Sequence, residues 1–241
     1  MGMTGPDETP APGRRPIAPL WHTIALVALI LAIAGYGAYA QKNAGSKTQI
    51  AERRGSTLPL YLGLIAGEWA LFRFSIVGLR KTGTRMRGVI GQRWASWKDV
   101  ARDAAIGLGA WVVWTGAETL LAQAMGQDTA KEITALLPRG PAEIVAWIAL
   151  SVSAGICEEA VFRGYLQQQF QALTGNTALA ISLQALVFGV GHGYQGLQKT
   201  LLIVLFGAAF GALAHWRRSL KPGMILHAWT DIFSGILASR A

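Results

Sequence analysis

The chain reads as an all-α, polytopic membrane protein, a helical bundle of about seven transmembrane helices. Three observations predict this. Of the 241 residues, 52% are hydrophobic and 15% charged, against about 25% charged in a typical soluble domain, so polar side chains are too few to cover a soluble surface. Mean hydropathy is +0.35, and apolar runs of about the length that crosses a bilayer recur at 20–40, 58–79, 103–125, 141–169, 177–193, 198–215 and 221–238. Lys and Arg collect between these runs, as membrane topology requires. The formal charge of +9 would point to nucleic acid in a soluble protein. Here loop cations account for it, and no nucleic-acid partner is expected.

Residues 1–18, rich in Pro, Gly and charge, read as a disordered N-terminal tail, and 19–241 as a single membrane domain. Arg14-Arg15, the apolar run from Leu20 to Ala34 and Ala38-Tyr39-Ala40 together resemble a signal peptide with its small-residue cleavage site. The run continues to Ala40, the length of a span rather than of a signal core, so an uncleaved signal-anchor helix is expected. The second and third runs carry Glu68, Arg73 and Glu118, which either pair internally or line a cavity. Between them, 80–102 is the most basic stretch and holds Trp94 and Trp97. It is expected in the cytoplasm, which puts the nearly charge-balanced segment 126–140 outside and Arg217, Arg218 and Lys221 inside. The 41–57 loop, with Lys42, Lys47, Arg53 and Arg54, falls outside against the rule. The fourth run exceeds a bilayer's needs and should tilt or project. In the sixth, Gly207 and Gly211 form a Gly-x-x-x-Gly packing notch. The single cysteine, Cys157, leaves neither an internal disulfide nor a Cys-cluster zinc site, and reads as a small buried apolar residue.

Ionisable side chains at membrane depth cost ~2.5–3.5 kcal/mol on insertion scales and mark function by default. They concentrate in Glu158-Glu159-x-x-x-Arg163, Phe188-x-x-x-His192 and His227-x-x-x-Asp231. At 1.5 Å per residue, Glu158, His192, His227 and Asp231 lie ~18, ~22, ~9 and ~15 Å from the cytoplasmic helix ends, so the three motifs can share one layer. Glu159 and Arg163 stand four apart and can pair. Glu158, about 100° round the helix, is left free to face a cavity. His227 and Asp231 likewise share a face. His22 and His215, at helix ends, read as interfacial.

At these residues the sequence resembles a known family. Glu-Glu-Ala-Val-Phe-Arg-Gly-Tyr-Leu (158–166), Phe-Gly-Val-Gly-His (188–192) and His-Ala-Trp-Thr-Asp (227–231) are similar to the CPBP intramembrane proteases, also called the Abi or CAAX-protease-like family, which include the type II CAAX prenyl proteases. The likeness covers about 141–238, the expected protease core. It implies a membrane endopeptidase with Glu158, His192, His227 and Asp231 as catalytic residues and Glu159–Arg163 as a supporting ion pair. Glu158 would activate a water with help from His192, and His227 with Asp231 would stabilise the oxyanion. Many members carry Asn where this chain has Asp231. The favoured reading requires no cofactor. If a divalent metal such as zinc is bound, Glu158, His192 and His227 are the expected ligands, although no His-Glu-x-x-His is present.

The expected partners are the lipid bilayer and a peptide or protein substrate in the membrane, prenylated and CAAX-like in one option. The expected location is the bacterial inner membrane, multi-pass, with the site towards the cytoplasmic half. Two other functions compete: a non-catalytic binding or immunity protein on the same scaffold, and a transporter using the buried charges as a relay. A binder need not retain all four site residues, and no inverted repeat of the transporter kind is evident.

Overall fold

The computed structural model describes residues 15–43, 56–124, 126 and 137–238. The described residues are helical with short connections. The helices are α1 (Leu20–Asn43), α2 (Leu58–Lys81), the short α3 (Met86–Ile90), α4 (Trp97–Ala124), α5 (Pro141–Glu158), α6 (Gln167–Thr174), α7 (Thr177–Gly191), α8 (Leu197–Arg217) and α9 (Lys221–Ala238). A wider π-helical stretch, Glu159–Leu166, joins α5 to α6, so 141–174 is one continuous rod. Among the described residues, five helical stretches are long and apolar enough to cross a membrane: Leu20–Ala40, Leu58–Lys81, Trp97–Ala124, Pro141–Thr174 and Leu197–Arg217. α7, at 15 residues, is short for a span, and α9 is not among the five. Large apolar side chains point outward along the long helices, among them Leu62, Val113, Leu120, Val145 and Leu201. In water such a belt would be a liability. In lipid it is the expected surface of a helix whose own backbone satisfies its polar groups. The protein is an integral membrane protein.

Local chemistry explains the helix limits. Asp99 Oδ2 accepts from the backbone N–H groups of Ala95 and Ser96 at 3.0 and 3.1 Å, closing the N-terminus of α4 about six residues earlier than the hydropathy suggested. Glu143 in the first turn of α5 accepts from Thr57 N and Arg139 N, each at 2.9 Å, tying the starts of α2 and α5 together. α6 ends at Gly175, in the left-handed region at φ 68°, the residue best suited to that conformation. Asn176 then caps α7 by accepting from Leu179 N at 3.0 Å.

The core lies around the π stretch, all eight of whose residues are buried. Phe162, Tyr165, Phe188, Phe206, Phe210 and Leu226 belong to it. Close backbone approach lets the helices converge there. A Cβ on Gly155 would stand 2.7 Å from Met224 O and 2.9 Å from Ala228 N, so α9 lies directly against α5. At the expected notch, a Cβ on Gly207 would meet Ala185 and Phe188 of α7 at 3.1–3.3 Å.

Three expectations need correction. His22, expected at the interface, is 1% exposed. Its ring stacks on Phe74 at 4.2 Å, and its Nδ1 lies 2.9 Å from the Tyr165 hydroxyl. The polar tip finds its partner inside the bundle rather than in water. Residues 15–18, grouped in the sequence with the disordered tail, are placed: Gln169 accepts from Ile17 N and Ala18 N and donates to Ala18 O, at 2.8–3.1 Å. Residues 1–14 lie outside the described residues, as do 44–55, which hold most of the anomalous basic loop. Finally, 80–102 is not a plain loop. α3 docks beneath the π stretch, with Val89 buried, Gln168 Nε2 donating to Val89 O at 3.1 Å and Leu220 N donating to Ile90 O at 2.9 Å.

Candidate active site

The centre of the site is His227, 4% exposed on α9. Its Nδ1 lies 3.0 Å from Glu159 Oε1. The same oxygen lies 3.0 Å from Arg163 Nη1, in a contact that lacks hydrogen-bond alignment and is therefore ionic. An ionised carboxylate can only accept, so His227 Nδ1 carries a proton and Nε2 is the nitrogen left for other work. Nε2 lies 3.6 Å from Glu158 Oε2 and 3.7 Å from Asp231 Oδ2. Both distances are too long for direct hydrogen bonds. They leave room for a small group to sit among the three.

Glu159 and Arg163 are fully buried and stand in the π stretch, a feature often found at functional sites. The Arg163 guanidinium lies between two rings, 4.4 Å from the centroid of Phe188 and 5.3 Å from that of Phe210. Its Nη2 lies 3.5 Å from Gly207 O. The glycine notch on α8 therefore does more than pack helices: it brings a backbone carbonyl to the buried cation. Glu159 thus serves two partners, Arg163 and His227. The second was not expected, because sequence separation gives no hint that position 159 meets position 227. Glu158, one residue earlier, keeps 21% of its side chain exposed and lines a cavity.

His192 differs from its expected place inside a span. α7 ends at Gly191, and His192, with φ −102° and ψ 12°, begins the turn into Gly193–Gln195. Its Nδ1 lies 2.9 Å from Phe188 O. A carbonyl only accepts, so Nδ1 donates, satisfying one of the carbonyls that a helix end leaves free and fixing the tautomer with Nε2 as the lone-pair nitrogen. Irregular backbone of this kind is tolerated at membrane depth where it lines a cavity.

The cavity has a volume of about 330 Å³ and is lined by Glu158, His192, His227 and Asp231, so the four expected catalytic side chains, from α5, α7's end and α9, face one space. Its walls are aromatic and aliphatic, with Tyr61, Trp114, Trp147 and Phe206 among them, as ligand sites usually are. Trp147 Nε1 donates to Asp231 O at 3.0 Å, which locks α5 to α9 beside the acid. The two acids left undecided by the sequence also line this space. Glu118 pairs with Lys199 at 2.8 Å, and Glu68 faces it from α2. Arg73 is exposed. Cys157 is buried and does not line the cavity.

Among the described residues, no group of three or more His, Cys, Asp or Glu side chains is arranged to hold a metal ion. Glu158, His192 and His227 are not so arranged.

Residues 140–233 match the family model described as Rce1-like, type II CAAX prenyl endopeptidase. The matched segment holds α5, the π stretch, His192, His227 and Asp231, and in it the chain is similar to the type II CAAX prenyl endopeptidases. No curated protein and no solved structure matches the chain.

Proposed function

We propose that the protein is an intramembrane endopeptidase in which Glu158 and His192 activate a water that cleaves a peptide bond, while His227 and Asp231 stabilise the oxyanion. The carrying observation is the division of labour between neighbouring carboxylates. Glu159 is spent on Arg163 and His227, whereas Glu158 faces the cavity with no cation closer than the imidazole at 3.6 Å.

A water held between the Glu158 carboxylate and the lone pair of His192 Nε2 loses a proton to Glu158 as its oxygen bonds to the carbonyl carbon. The carbonyl π electrons move to oxygen. His227, held in one orientation by Glu159, donates from Nε2 to that oxyanion when its ring is protonated, and a protonated Asp231 donates in the same way. Fixed donors in a site shielded from water are worth several kcal/mol at this step. Glu158 then passes its proton to the departing nitrogen as the C–N bond breaks, and the products are a carboxylic acid and an amine. General-base assistance of this kind contributes about 10²–10⁴-fold.

The substrate is a peptide that reaches the cavity from the bilayer, with a prenylated CAAX-like chain as one candidate suggested by the family. The expected position is the inner membrane of a bacterium, with the site towards the cytoplasmic half. Comparative analysis of membrane peptides tests this reading. Cells carrying wild type should contain cleaved peptides whose intact precursors accumulate with Glu158→Gln. Identical peptide populations would refute it.

A further inference from the structure

Among the described residues, Glu68 is the one acid of the cavity that the proposed chemistry does not use and that has no ion-pair partner. Glu118 has Lys199 at 2.8 Å, and Glu158 and Asp231 share His227. Glu68 has neither, and its Oε2 is buried without a hydrogen-bond partner. Ser153 is the hydroxyl placed to reach Glu68, yet neither Ser153 Oγ nor Glu68 Oε2 finds a hydrogen-bond partner. Among the described residues, Lys199 is the sole Lys or Arg lining the cavity, and it is already engaged. A carboxyl oxygen buried without a partner either keeps its proton or awaits a cation, and each such group in a folded protein calls for an explanation.

The placement supplies one. Tyr61, Leu64 and Glu68 of α2 and Trp147, Ala154 and Glu158 of α5 line the same cavity. Tyr61 and Trp147 are edge-to-face at 5.5 Å. A cavity with aromatic and aliphatic walls and a carboxyl group inside it suits an alkyl ammonium or guanidinium, whose stem packs on the walls while its head meets the acid. Glu68 also lies outside 140–233, so it belongs to this chain's own helices and not to the matched segment.

We propose that Glu68 is a specificity-determining residue that receives a Lys or Arg side chain of the peptide, selecting substrates with a cationic residue near the scissile bond. This rests on the reading of the cavity as a peptide site. The test uses full-length protein in nanodiscs, carrying Glu158→Gln so that bound peptide is not turned over. Fluorescent apolar peptides are compared in which one Lys is walked position by position, with norleucine as the neutral control.

At one position Lys should bind about ten- to a hundredfold tighter than norleucine, the worth of one hydrogen bond to a charged group. Adding Glu68→Gln should bring that ratio close to one. Adding Glu68→Lys should reverse it, so that Glu at the same position is preferred. Both variants are to be compared by melting temperature, and the within-variant ratio is immune to a uniform loss of folded protein. Three results would overturn the inference: no position prefers Lys, the preference survives in the Glu68 variants, or no peptide binds. If wild type hydrolyses none of the peptides but the Glu68-dependent preference is present, the protease reading fails and this inference stands.

Discussion

Arg163→Ala should be among the most damaging single substitutions in the protein, and the structure gives its size. The Arg163 side chain is 0% exposed, and Glu159, its partner at 3.0 Å, is 1% exposed. Removing the guanidinium leaves the Glu159 carboxylate in a dry core with only His227 against it, and breaking one side of a buried pair costs ~3–5 kcal/mol. The gap between Phe188 and Phe210, now filled by the cation, adds to the loss. At roughly 2–4 °C per kcal/mol for a chain of this length, the melting temperature should fall by about 6–20 °C. Scanning calorimetry or a fluorescence melt of purified protein in detergent reads this directly. The double variant Glu159→Gln/Arg163→Met, which removes both charges, should recover part of the loss, because no uncompensated charge remains. It should still lack activity, since His227 would lose the carboxylate that orients it. An Arg163→Ala protein melting within about 2 °C of wild type, or a double variant no better than the single one, would refute the buried-pair argument.

Other consequences can be checked with the same preparations. Asp231→Asn should retain most activity and Asp231→Leu should lose it, in a peptide hydrolysis assay, because the proposed oxyanion role calls for a hydrogen-bond donor at this position, 3.7 Å from His227 Nε2. Equal inactivity of both would mean that Asp231 works only as an anion beside the imidazole. Gly155→Leu should separate α5 from α9, since even a Cβ would stand 2.7 Å from Met224 O. Overpacking of this kind costs about 1–3 kcal/mol, and here activity should fall further than stability because Glu158 and His227 ride on the two helices. Activity should survive exhaustive chelation. Zinc at one equivalent per chain, lost with activity and restored with it, would move the account to a metal-assisted hydrolysis.

The helical class and the convergence of the three motifs were legible because apolar run length and helical spacing are local properties. The Glu159–Arg163 contact follows from a four-residue spacing alone. Four features were not legible, each because it depends on contacts distant in sequence. The π stretch looks like any helix in composition. Glu159 reaching His227 joins positions 68 residues apart. His22 reads as interfacial until Tyr165 and Phe74 are placed around it. α3 hides in a basic loop because its docking rests on one buried side chain, Val89, and on backbone hydrogen bonds. His192 is an intermediate case: Gly189, Gly191 and Gly193 surround it and hint at a helix end, but hydropathy carries the run past it.

In the proposed mechanism Glu158, and not its neighbour, is the base that activates water. The most direct measurement is single-turnover hydrolysis of one peptide substrate by purified wild type and Glu158→Gln, both shown to be folded by matching melts. The account predicts a loss of about 10²–10⁴-fold in the chemical step with peptide binding little changed. A Glu158→Gln protein that keeps more than about a tenth of the wild-type rate, far above that range, would contradict it.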